Sequence, residues 1–453
     1  MAGICSASAA SDATEWNTPG AANPILPGYF ADPSIVEHEG KFYLYATLDP
    51  WGGETLGCWE SDNFRDWTYR VLNWPTKLAC TSPHSTGAMV WAPGVIRGPN
   101  GGFFMYVSVG SEVWVGRADH PLGPWENAQP GGGPLIPGNY KPGYHMIDAE
   151  PFIDDDGTPY LYWGSGWNWV NGRCWAVKLK PDMVTFAGEV HDVTPHNGHY
   201  FEGPVVVKRH GRYFLTYSDG RTNSDTYCVY YAVSDSPLGP FTEPDQALLL
   251  STDHERQIVS PGHHTIFHQD GRDYIAYHRH RIPFVEETAF RQVCVDEITF
   301  DRETVKPVQA THSGPAFVQR SLNDRVRAWN VQVTASSETA PHTARQVLDG
   351  NFATRWQAAA ADREKWMQLD LGDVRSITRQ RLRLEYPWKH YPMVVQSSTD
   401  GANWQTLFDG TADRGVTGSP VDLPGAQETR YLKLVFSEAL PAEDCSLWEW
   451  EIH

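Results

Sequence analysis

Five segments of this chain repeat one plan: a short anchor containing proline, an apolar run, a glycine-containing turn and an aromatic-rich run. They read ADPSIVEHEGKFYLY, WAPGVIRGPNGGFFMY, DAEPFIDDDGTPYLY, FEGPVVVKRHGRYFLTY and SPGHHTIFHQDGRDYIAY, marked by Pro33, Pro93, Pro151, Pro204 and Pro261. The anchors stand about 53 to 60 residues apart, the length of a four-stranded propeller blade with generous loops. The turns HEGK, PNGG, DDGT, RHGR and QDGR are hairpin signals between apolar or alternating strands. A second strand pair follows each hairpin, and EVWVGRADHPLGPWE and YCVYYAVSDSPLGPFTE are near copies of one another. Helical periodicity is hard to find before residue 320. After an N-terminal segment, 1–22, the pattern therefore predicts a five-bladed β-propeller over 23–320, with blades near 23–85, 86–135, 145–192, 198–248 and 256–312.

Near residue 320 the pattern changes. WNVQVTASSE, WMQLDLG, YPMVVQSSTDGANWQTLF, TRYLKLVFSE and LWEWEI read as short strands separated by turns, which suits a β-sandwich or jelly roll. Residues 321–328 are the expected linker, and the fold class is all-β: a propeller followed by a sandwich over 328–453.

Composition excludes some partners. A net charge of -19 is opposite to the basic footprint that nucleic-acid phosphates require. No run approaches eighteen apolar residues, so no membrane-spanning helix is expected. The N-terminus MAGICSASAASDATEW lacks the basic start and apolar stretch of an intact secretory signal and reads as a mature end with an added Met. The seven cysteines form no CxxC or CxxH spacing, which argues against a zinc knuckle or redox dithiol; Cys58 and Cys80 are the one pair considered as a disulfide. The 19 Trp, 20 Tyr and 18 Phe suit both β cores and platforms for apolar sugar faces.

Three anchors carry an acid: Asp32, Asp148 and Glu202. An Asp before Pro at a strand start is ordinarily turn chemistry. In a propeller, however, residues just before the innermost strands converge on one mouth of the channel. Three carboxylates gathered there repel one another, and burial raises the pKa of at least one, which supplies the mixed protonation that a general acid and a general base need. Glycoside hydrolysis uses such a pair.

ADPSI, IDAEPFIDDDGTPYLYWG, EGPVVVKRHGRYFLTYS and SPGHHTIF resemble the blade anchors of glycoside hydrolase family 43, five-bladed propellers that invert anomeric configuration. The resemblance covers about 23–320. It implies Asp32 as general base, Glu202 as general acid and Asp148 as the acid that orients and tunes Glu202. Inversion implies a base-to-acid separation of roughly 6.5 to 9.5 Å, with room for a water between them. Neither the WMNDPNG-type motif nor the RDP triplet of invertase-like propellers occurs. His263 matches a channel histidine that the family often places beside a metal ion or its waters; a mostly hydrated calcium is the ion expected. Arg291 matches an arginine that the family brings to the substrate, against the plainer alternative of a surface salt bridge. Phe30 and Trp91 are candidate walls for the sugar ring, although core packing suits them equally. Trp167 and Trp169, in the loop WGSGWNWVNGRCW, are candidate platforms.

In the C-terminal part, VTASS, VLDGNFATRW, WMQLDLG, STDGANW and RYLKLVFSE resemble the discoidin or F5/8 type C family, which includes carbohydrate-binding modules. The resemblance implies calcium ligands at Asp349, Thr354 and Glu449, although LDGN is equally an ordinary turn. Trp388, His390 and Tyr391 are candidate sugar-contacting loop residues. The expectation is a secreted or periplasmic, monomeric, exo-acting hydrolase that removes a terminal pentose, foremost α-L-arabinofuranose, from plant polysaccharide or oligosaccharide. β-Xylosidase and exo-galactosidase activities are the near alternatives. A lectin propeller with no catalysis is the rival of another class. Cell adhesion would rest on the C-terminal part alone.

Overall fold

The structure is a computed structural model that describes residues 15–196, 198–320 and 330–453; the expected linker 321–328 lies outside the described residues. Five small antiparallel sheets follow one another along the chain, and no α-helix occurs among the described residues. The sheets begin at Phe30–His38, Val90–Arg97, Glu150–Ile153, Glu202–Arg209 and Gly262–Gln269. Each of these first strands lies beside the first strands of the preceding and following sheets, and the fifth lies beside the first. The result is a closed ring, the five-bladed β-propeller.

Four blades have four strands and the fifth has three, Gly262–Gln269, Arg272–His280 and Arg291–Ile298. The N-terminal stretch before blade one completes its open edge. Ile25 N donates to Val293 O (2.9 Å), and the Asn23 amide both donates to Val295 O (2.8 Å) and accepts from Val295 N (2.9 Å). Pairing that edge satisfies backbone groups that would otherwise be exposed and ties the two ends of the propeller together.

The first strands share a second feature. One residue at the start of each is left-handed: Asp32 (φ 52), Ala92 (φ 46), Asp148 (φ 58), Gly203 (φ 62) and His263 (φ 36). Pairing with the second strand slips there, between Ala31 and Ser34, Trp91 and Gly94, Glu202 and Val205, and Gly262 and His264. These are β-bulges, which bend a strand and re-aim its side chains. In four blades the N–H of the left-handed residue donates to a side chain from the second strand of the preceding blade: Asp32 to His278 Nδ1 (3.3 Å), Ala92 to Thr47 Oγ1 (2.8 Å), Asp148 to Ser108 Oγ (2.9 Å) and His263 to Ser218 Oγ (2.9 Å). Holding a non-glycine residue in this region costs on the order of 1 kcal/mol. Each bond offsets part of that cost and locks one blade to the next.

The C-terminal part is a sandwich of a five-stranded and a four-stranded sheet. Its core follows strand alternation: in WMQLDLG, Met367, Leu369 and Leu371 are buried and meet Leu382, Leu432, Leu434, Leu447 and Trp450. The sandwich packs directly on blades one and five. Tyr29, Phe352 and Trp448 form a buried aromatic cluster flanked by Phe290 and Tyr386. Arg383, paired with Glu451 at 3.0 Å with both side chains 3% exposed, donates to the Trp67 carbonyl (2.6 Å). Burying an aromatic side chain such as Trp448 contributes on the order of 3 kcal/mol.

Some candidate residues prove to be packing residues. Phe30 is fully buried and lies edge-on to Trp59 and to Trp388 of the sandwich (5.2 and 5.6 Å), so it is core at the domain contact and no sugar wall. Trp388 is engaged by that contact, and Tyr391 belongs to the sandwich core; of the three loop residues only His390 is exposed. Cys58 and Cys80 are free. Both sit in the apolar layer between blades one and two, where a thiol packs as a small hydrophobe.

Candidate active site

A pocket of about 300 Å³ opens at the channel mouth, and Asp32, Glu202, His263, Arg291, Trp91, Trp167 and Trp169 all line it. These residues come from all five blades or the loops between their strands. Asp148 lies buried beside the pocket, with His263 Nδ1 3.6 Å from its carboxylate and 3.3 Å from that of Asp32. The near-identical anchors YFADP and YFEGP align Asp32 with the left-handed Gly203, so Glu202 stands one place earlier in its strand than Asp32 does. The acids of these two anchors are therefore not equivalent in the blade repeat. The offset gives them different partners.

Asp32 sits beside a cation, Arg291, and among polar side chains. Arg291 Nη1 reaches its Oδ1 at 3.1 Å, Thr47 Oγ1 donates to Oδ2 at 2.6 Å, and His278 Nδ1 lies 3.1 Å from Oδ1. Burial opposes ionisation, but the Arg291 charge, then His263 and His278, outweigh it and hold the carboxyl far below the usual carboxylate range. Among the described residues Glu202 has only neutral donors, Tyr227 OH (2.8 Å) and Ser165 Oγ (3.1 Å). Burial dominates there; the Tyr227 and Ser165 bonds oppose it, the Asp32 charge reinforces it, and the carboxyl rises to about 7. Asp148 is pushed well up by burial and by the charges of Glu202 and Asp32. One pocket thus holds a carboxylate that stays ionised far into the acid range and a carboxyl that keeps its proton until about pH 7.

Arg291 is no surface salt bridge: its side chain is 6% exposed, and it is also ion-paired to Asp49 (2.7 Å). The walls are aromatic. His145, made neutral by burial with its pKa lowered to about 4, lies over Trp167 (4.1 Å between centroids) and near Trp91 (5.9 Å). Trp51, 47% exposed, lines the same pocket. Sequence reasoning missed Trp51, Asp49, His145, Ser165, Tyr227 and His278. For Asp49 a signal existed, the Asp-Pro pair in LDPWGG; Tyr227 and His278 look like any strand residues.

The model of glycosyl hydrolases family 43 matches residues 21–305, the stretch that builds this pocket. The chain belongs to family 43. An F5/8 type C domain matches residues 332–450. This family 43 hydrolase is 34% identical over 321 residues to a beta-D-galactofuranosidase, xynD, of Aspergillus niger, covering 67% of this chain and 89% of that one. It is 26% identical to an arabinoxylan arabinofuranohydrolase of Bacillus subtilis, covering 74% of each. A solved glycoside hydrolase superposes over 97% of this chain and 100% of its own, with a TM-score of 0.79 and 28% identity.

In the sandwich, the residues expected to hold calcium do meet. Thr354 Oγ1 donates to Asp349 Oδ2 (2.7 Å), Gly350 N donates to Glu449 Oε1 (2.6 Å), and Asp349, in hydrogen-bond contact with Glu449, is raised to about 7 by burial. Two buried acids and a hydroxyl in one cluster fit a hard cation. At the channel mouth, His263 Nδ1 faces Asp32 and Asp148. No group of three or more His, Cys, Asp or Glu side chains among the described residues is arranged to hold a metal ion, so an ion beside His263 would take most of its ligands from water.

Glu202 loses its proton as pH rises through about 7, and Asp32 stays ionised far into the acid range. For a reaction that draws a proton from Glu202, kcat/KM is expected to fall about tenfold per pH unit above that point. Glu202→Gln should abolish this basic limb, as a pH–rate profile would show.

Proposed function

We propose that this family 43 hydrolase removes terminal α-L-arabinofuranose residues with inversion of configuration. The observation that carries this reading is the different bonding of two carboxyls in one pocket, Asp32 to the Arg291 guanidinium and Glu202 to the neutral hydroxyls of Tyr227 and Ser165, which holds the first low and the second high. Glu202 gives its proton to the glycosidic oxygen as the bond from the anomeric carbon to that oxygen breaks. Asp32 takes a proton from a water that attacks the same carbon from the opposite face. The hydroxyl that forms therefore lies on the face opposite the departed group. Burial and the charge of Asp32 keep Glu202 an acid, and Asp148, pushed up by burial and by the charges of Glu202 and Asp32, limits the negative charge of the site. His263 lies between Asp148 and Asp32, and the tryptophans offer flat faces to the apolar side of the sugar ring.

The choice of sugar rests on size and on relatives. A volume of about 300 Å³ is at the small end of ligand pockets, which suits one terminal sugar better than a length of chain. Relatives named for action on arabinose-containing substrates include the arabinoxylan arabinofuranohydrolase of Bacillus subtilis and a xylosidase/arabinosidase of Bacteroides ovatus, 25% identical. A specific observation favours a second reading, β-D-galactofuranosidase, because the 34% identical relative carries that name. The two furanosides present the same ring configuration and differ by one hydroxymethylene on the exocyclic carbon. β-Xylosidase is the third candidate.

The test is hydrolysis of the 4-nitrophenyl α-L-arabinofuranoside, β-D-galactofuranoside and β-D-xylopyranoside, with the first-formed anomer read by proton NMR. Arabinofuranoside is expected to be turned over at least about tenfold faster than xylopyranoside, a difference of about 1.4 kcal/mol in barrier, and to give the β anomer first. Faster galactofuranoside turnover would favour the second reading. Retained configuration would contradict the mechanism, and no turnover on any sugar would favour the lectin.

The same reading gives Asp349, Thr354 and Glu449 a calcium ion with a structural role, since the acid–base chemistry needs none. Chelation is expected to lower the melting temperature of the protein by several degrees, with calcium restoring it. Unchanged melting would remove the ion from the account.

A further inference from the structure

Asp49 directly follows the second strand of blade one, Lys41–Leu48, and is 1% exposed. It organises two pocket residues at once. Its Oδ2 accepts from Arg291 N (2.8 Å) and Nε (2.9 Å), and its Oδ1 accepts from Nη2 (2.7 Å). Arg291 Nη1 is the arm that reaches Asp32, at 3.1 Å. Asp49 Oδ1 also accepts from Trp51 N at 3.3 Å. Trp51 is left-handed (φ 58), and its exposed ring stands 5.8 Å from the Arg291 guanidinium at the pocket mouth.

A guanidinium is planar, so a two-point grip on Nε and Nη2 fixes the direction of the remaining nitrogen. Asp32 accepts only one bond from Arg291 and does not itself set that direction. The peptide between Asp49 and Trp51 runs through Pro50, so the Trp51 backbone is tied to the same carboxylate two residues away. A charge that served only stability would need no link between the carboxylate that grips the arginine beside the base and the backbone of the aromatic at the rim.

We propose that Asp49 is a positioning residue for hydrolysis: it aims Arg291 at Asp32 and seats Trp51 at the mouth, so one buried carboxylate places both the counter-ion of the base and the outermost wall for the sugar. This rests on the reading of Asp32 as the general base. Asp49 touches neither the sugar nor the water; its effect travels through Arg291.

The test is a double-mutant cycle in the full chain, Asp49→Asn, Arg291→Lys and both together, with kcat and KM on 4-nitrophenyl arabinofuranoside and thermal melting of each variant. Asp49→Asn keeps the shape and an acceptor for Trp51 N but loses the charged grip. Each single change is expected to lower kcat about 100-fold, the scale of a misplaced group of about 1 Å. The double variant should be no worse than either single to within about threefold, because both break the same link. Asp49→Asn with kcat within about threefold of wild type, or losses that multiply to about 10,000-fold, would overturn the proposal. Should Asp49→Asn not fold, Asp49→Ser takes its place in the cycle; failure of both to fold makes Asp49 a folding residue and overturns the proposal as well. Asp32→Ala is measured beside them. Turnover retained by Asp32→Ala sinks the base assignment, whereas an inactive Asp32→Ala with a fully active Asp49→Asn sinks the role of Asp49 alone.

Discussion

Four carboxylates, those of Asp32, Asp49, Asp148 and Glu202, are buried around one channel mouth with the guanidinium of Arg291. They cannot all ionise in so small a volume, because each added charge raises the cost of the next. Arg291 decides how the charge is shared. It touches Asp32 and Asp49, while the hydrogen bonds to Glu202 come from the neutral hydroxyls of Tyr227 and Ser165. Asp32 is consequently held ionised, and burial leaves Glu202 protonated until about pH 7. An acid and a base made from the same functional group follow from the placement of one cation.

The propeller supplies that placement through a repeated distortion. A left-handed residue stands at the head of every first strand, with a bulge in four of the five blades, and its N–H is taken up by the neighbouring blade in four of five cases. Thr47 shows how tightly this scaffold and the site are joined, since its hydroxyl accepts from Ala92 N and donates to Asp32 Oδ2. Backbone strain of this kind persists only where the surroundings over-determine it. The sandwich adds to that constraint by covering Tyr29 and Phe30, the residues that lead into Asp32.

Much of this is legible in the sequence, for physical reasons. Five proline-marked anchors at near-constant spacing leave few folds other than a propeller, and a propeller brings its anchors to one mouth, so the repeat alone places Asp32, Asp148 and Glu202 together. The bulges are not legible. Their residues range from Gly203 to His263, and without them Asp32 and Glu202 look like copies of one position when they are offset by one. Aromatic residues are the least readable class: Phe30 and Trp388 are spent on each other, while Trp51, in a turn with no distinguishing pattern, reaches the pocket. Partners from distant strands, such as Tyr227 for Glu202 or His278 for Asp32, leave no local mark because only the fold brings them near.

The division of labour between the two acids can be read most directly from how each variant responds to the leaving group. Glu202→Gln and Asp32→Asn would be assayed on arabinofuranosides whose leaving groups range from 2,4-dinitrophenol, which departs without a proton, to a sugar alcohol, which needs one. The account predicts that Glu202→Gln hydrolyses the dinitrophenyl substrate nearly as fast as the wild type and loses roughly 100- to 10,000-fold on the sugar, whereas Asp32→Asn loses activity on both alike. Equal losses across the series for Glu202→Gln, or a loss for Asp32→Asn that disappears with the better leaving group, would contradict it.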